Sequence, residues 1–107
     1  MKYKNMIYNL YGSEFSIESC VKILEEALSI RLEERESSYQ GGKYFRFESP
    51  LGGSILLKKN IDIIDNLPAE PLYPHFNTIL YVNTKNMENE FGCIVFDGFS
   101  ILRSEEF

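Results

Sequence analysis

Histidine and cysteine are scarce in this sequence: His75 stands alone, and the cysteines are Cys20 and Cys93. Two thiols and one imidazole fall short of the four ligands of a tetrahedral zinc site. Both cysteines fall at apolar positions of helix-like patterns, which reads as two buried thiols. A chain of 107 residues can build a core without a disulfide. No Gly-x-Ser-x-Gly elbow accompanies His75, so the common nucleophile arrangement is missing. No Gly-Lys-Ser/Thr follows Gly41-Gly42 or Gly52-Gly53, which leaves them as turn glycines and not a phosphate loop. The acids from Asp62 to Glu70 lack the central glycine of a calcium-binding loop. No catalytic residue, metal ligand or cofactor motif is therefore assigned. No apolar run approaches the length of a membrane span, and Met1-Lys2-Tyr3-Lys4-Asn5 lacks the apolar core of a signal peptide. The expectation is a cytoplasmic protein of one domain, residues 1–107, with no membrane partner.

Basic residues are also unevenly missing. From Ile61 to Asn77 there is no lysine or arginine, against Asp62, Asp65 and Glu70. The net charge of the chain is -5, with a local basic group at Lys43, Arg46, Lys58 and Lys59. An acidic surface repels phosphate backbones, which argues against direct nucleic-acid binding. It steers encounter with a basic protein instead. Moderate acidity also serves solubility alone.

What is present is a well-patterned α+β sequence, a mostly antiparallel sheet with two helices. Tyr3 to Tyr11 alternates as a first strand, broken by Gly12 and Ser13. Ser16 can cap a helix running to Ile30, because its hydroxyl can accept from a first-turn amide. Ile17, Cys20, Val21, Leu24 and Leu28 then share one face. The polar run Arg31 to Tyr39 and the alternating Lys43 to Ser49 form a hairpin across Gln40-Gly41-Gly42. Phe45 and Phe47 point to the core, and Tyr44, Arg46 and Glu48 point away. Ser54 to Asn60 completes a three-stranded meander. Thr78 to Asn83 is apolar on both alternating sets, so it is a central strand covered on both faces. Asn83 or Thr84 then caps a second helix through Met87, Phe91, Ile94 and Val95, and Phe99 to Arg103 is a last strand. A hairpin turning at Asp97-Gly98 is the rival for this region.

Between the meander and the central strand, Pro68, Pro71 and Pro74 forbid regular structure. A long irregular segment in a compact domain is often functional. Tyrosine suits interfaces because it joins apolar area to a hydroxyl. Tyr39, Tyr44 and Tyr73 are accordingly read as partner-binding residues, ringed by Glu33, Glu34, Glu36, Asp62, Asp65 and Glu70. The alternative is a small cytosolic enzyme or ligand-binding protein that uses the His75 loop, with a nearby carboxylate making the imidazole a general base.

From Gly52 onward the chain resembles the small immunity proteins of bacterial contact-dependent growth inhibition and related polymorphic toxin systems. The resemblance is carried by Gly53-Ser54-Ile55-Leu56-Leu57 ending at Asn60, the Asp62–Asp65 run and Pro71-Leu72-Tyr73-Pro74. Leu80-Tyr81-Val82-Asn83 and Leu102-Arg103-Ser104-Glu105-Glu106 continue it. It implies a protein that is not an enzyme. Such a protein binds a cognate toxin domain, often a nuclease, as a monomer in a 1:1 complex, and neutralises it. Nuclease domains tend to be basic, which this chain's acidity complements.

Overall fold

The structure is a computed structural model that describes residues 6–37, 42–50, 52–62, 65–85 and 98–106. Strand β1 (Met6–Ser13) leads to helix α1 (Ile17–Leu28). Strands β2 (Glu33–Ser37), β3 (Gly42–Glu48) and β4 (Ser54–Lys59) follow as the expected meander. Strands β5 (Thr78–Lys85) and β6 (Ser100–Glu106) complete a six-stranded sheet of order β2-β3-β4-β5-β1-β6. Every pairing is antiparallel. No helix among the described residues is long and apolar enough to cross a membrane.

Helix α1 forms where the sequence places it. The Ser16 hydroxyl accepts from the Ser19 amide at 3.2 Å, and Glu18 occupies the first turn at the positive end of the dipole. Ser29 ends the helix in the left-handed conformation with φ 56°. Glu25 then accepts from the Leu32 amide at 2.8 Å, which directs the chain into β2.

Residues directly opposite in an antiparallel ladder share a face. The set Tyr11, Leu80, Leu57 and Phe45 lies in one such row, and Val82, Ile55 and Phe47 lie in the next. Together with Ile17, Cys20 and Leu24 of the helix they form the core. The thiol of Cys20 is wholly buried, and burial raises its pKa. The other face carries Leu10, Tyr81, Leu56 and Arg46 in one row. Ile79 on that face is as buried as Leu80 on the helix side. The central strand is therefore covered on both faces, as its double apolarity requires.

Two expectations are corrected. α1 is the one helix among the described residues, where two were expected. Asn83 and Thr84 do not cap a second helix, because they are strand residues paired with Tyr8 and Ile7, and β5 continues to Lys85. The body of that expected helix, and the first arm of the rival hairpin, lie outside the described residues. Gly12 and Ser13 do not break β1 either. They remain in the ladder opposite Ile79 and Thr78. A Cβ on Gly12 would stand 2.7 Å from the Phe76 ring and 2.9 Å from Leu102, so the glycine marks a close approach to that face.

Candidate functional site

The second cover of the sheet is the segment 60–77, which is irregular at its described residues 60–62 and 65–77. It leaves β4 and returns into β5, two strands that pair as far as Lys59 and Thr78. Three prolines deny it a ladder, so its backbone polar groups need other partners. Asn60 supplies many of them. This residue is 7% exposed, and its Nδ2 donates to the Tyr73 carbonyl at 2.8 Å and the Phe76 carbonyl at 3.0 Å. Its Oδ1 accepts from the Glu70 amide at 2.9 Å, and its own amide donates to Asn77. One amide side chain thus binds three points of the segment.

Local turns fix the rest. Asp62 donates its amide to the Leu67 carbonyl and accepts from the Asn66 amide, with Asn66 at a positive φ of 62°. The Leu67 amide donates to Asp65 Oδ1 at 3.1 Å. The Tyr73 amide donates to the Glu70 carbonyl, which makes a turn around Pro71 and Leu72. At the far end, Asn77 donates from its side chain to the Glu14 carbonyl at 2.6 Å, and the Thr78 hydroxyl donates to Phe15 at 2.8 Å.

A polar clasp holds the segment onto the sheet. The Tyr81 hydroxyl donates to Glu70 Oε2 at 2.6 Å, and Arg103 stands 3.9 Å from the other oxygen. The Glu70 side chain is 16% exposed. Burial first, and then the Glu70 carboxylate, raises the Tyr81 pKa and keeps the phenol protonated. The Tyr73 hydroxyl donates to the Leu102 carbonyl at 3.2 Å, which joins the segment to β6. Beneath it lies Lys58, whose pKa burial lowers against the opposing pull of Asp62 and Glu70.

The sequence-predicted residues divide into groups. Glu70 and Tyr73 come together on the sheet face opposite α1, and both are engaged in holding the segment. Asp62 is half-buried beside them, and Asp65 is exposed at a turn. Glu33 and Tyr44 lie on the same sheet face by register, and Glu33 pairs with Arg35 at 3.0 Å. Glu34 and Glu36 alternate onto the helix side, where Glu34 meets Lys43 at 3.4 Å. Tyr39 lies outside the described residues. His75 is exposed, and its ring centroid is 4.2 Å from that of Phe76. Among the described residues no group of three or more His, Cys, Asp or Glu could hold a metal ion.

Beyond the segment the same sheet face holds, among the described residues, a hollow of about 530 Å³ bordered by Tyr8, Tyr44 and Tyr81. Its charged side chains, Arg46 and Glu48, pair with each other at 2.6 Å. Sequence reasoning missed Asn60, Tyr81 and Arg103 as the holders of the segment. Tyr81 carried a signal: a phenol in an otherwise apolar buried strand needs a hydrogen-bond partner. Leu67 and Leu72 were passed over as well, and they are 58% and 76% exposed. Comparison with known protein families, curated proteins and solved structures finds no match to this chain.

Proposed function

We propose that this chain is an immunity protein that binds a cognate toxin domain, a basic nuclease, and neutralises it by covering its active site. The observation that carries the reading is the segment 60–77. It has no lysine or arginine after Asn60 and is fixed by Asn60 and the Glu70–Tyr81 bond. A surface held in this way loses little conformational freedom on binding, which favours recognition of another protein. Acidic side chains on it attract basic groups and accelerate encounter. The immunity-protein resemblance spans the same segment and the strands beside it. The protein acts in the cytoplasm, as a monomer in a 1:1 complex.

Co-expression with the toxin encoded by the neighbouring gene tests the proposal. Survival of the host and co-purification of the two chains are expected; unimpeded killing without co-purification would refute it. Asp62→Lys with Asp65→Lys should weaken the complex about tenfold or more at low salt, with a smaller loss at high salt, since exposed charges are screened. Unchanged affinity would move the interface to the Glu33–Tyr44 hairpin.

A further inference from the structure

We infer that Leu67 and Leu72 are the apolar anchors of the interface, and that they seat in a partner-protein surface where an apolar hollow is rimmed by lysine or arginine. This rests on the function proposed above and specifies which atoms carry it. Large apolar side chains are costly to leave in water, and these two are 58% and 76% exposed. Nearby positions show that the fold is able to bury apolar residues on this side: Ile79 beneath the segment is fully buried.

The exposure is built in by the backbone. Leu67 is held through both of its peptide groups, its amide to Asp65 Oδ1 and its carbonyl to the Asp62 amide. Leu72 lies inside the turn closed by Glu70 and Tyr73, and the Tyr73 side chain ties that turn to β6. Both leucines are therefore presented on fixed turns, which lowers the ordering cost of docking. Leu67, Pro68, Ala69 and Pro71 line a hollow of about 350 Å³ that Asp62 and Asp65 border, and Leu72 follows Pro71 in the chain. Apolar centre with charged rim is the arrangement of a protein interface. The rim is of one sign, so the complementary partner is basic. The tyrosine-bordered hollow has no such bias, because Arg46 and Glu48 cancel there.

The test is calorimetric titration of the full chain against the toxin domain encoded by the neighbouring gene. Leu67→Ser with Leu72→Ser should weaken binding about 100-fold, as loss of two buried anchors predicts. The loss should be the same at low and high salt, unlike that of the Asp62 and Asp65 substitutions. Circular dichroism and the urea midpoint report whether the double variant remains folded. Leu72→Ser alone, at the more exposed position, serves if it does not, with about a tenfold loss expected. Glu26→Gln, at an exposed position of α1 on the other side of the sheet, should bind like wild type. If the wild type binds and the folded leucine variants bind within about threefold of it, a difference below 1 kcal/mol, the inference fails and the function stands. If the wild type does not bind, the proposed function fails and the inference fails with it.

Discussion

At the scale of single residues, the segment depends on Asn60 more than on any of its acids. Its side chain makes three bonds to backbone groups, and each of those groups would be left with a lost partner on truncation. Asn60→Ala should cost about 2–3 kcal/mol, measured by urea unfolding, because buried groups without partners are costly. Asn60→Asp retains the acceptor for the Glu70 amide but turns a carboxylate oxygen on the Tyr73 and Phe76 carbonyls, so it should be no more stable than Asn60→Ala. Cys20 makes a different forecast. Its buried thiol, with a raised pKa, should resist alkylation in the native protein and react fully in urea, as read by mass spectrometry. The burial of Cys20 was legible, because it falls on the apolar stripe of a capped helix. The role of Asn60 was not. An asparagine at a strand end is compatible with many turns, and its partners lie ten or more positions further along the chain.

At the scale of elements, periodicity and turn chemistry were informative where local forces decide. The α1 cap, the alternation of β3 and the double burial of β5 all follow from residues close in sequence. The length of β1 did not follow, since Gly12 and Ser13 look like a break. They remain in the strand because β5 supplies ladder partners and because Phe76 needs the space above a residue without a side chain. Gly12→Ala should accordingly destabilise the protein by about 1–3 kcal/mol, the usual range for overpacking, in thermal or urea unfolding. A neutral result would mean that Phe76 and Leu102 move aside freely. The expected caps at Asn83 and Thr84 failed for the same long-range reason. Polar residues near a strand end resemble caps until the neighbouring strand claims them.

At the scale of the molecule, one sheet is covered by a helix on one face and by an irregular segment on part of the other. The clasp between them makes stability depend on pH. The folded protein holds the Tyr81 proton more tightly than the unfolded chain does. Its contribution is complete below about pH 10, the ordinary tyrosine value, and is lost as pH rises through the higher folded value. Tyr81→Phe should therefore show a shallower fall in unfolding free energy above about pH 10 than wild type in a urea series. Lys58 has a lowered pKa and gives the opposite slope, but it is common to both proteins and cancels in the difference. The candidate surface was half legible at this scale: the acidic, proline-bearing stretch was evident, while its placement over Tyr81 and its two exposed leucines required the sheet. Because β4 and β5 pair right up to Lys59 and Thr78, that stretch is topologically an oversized hairpin turn on a closed stem. Loop closure grows only slowly with length, about 0.6 kcal/mol per doubling. A change of length in that stretch therefore costs the stem little by itself, provided the residues that cover Ile79 and bind Asn60 and Tyr81 are kept.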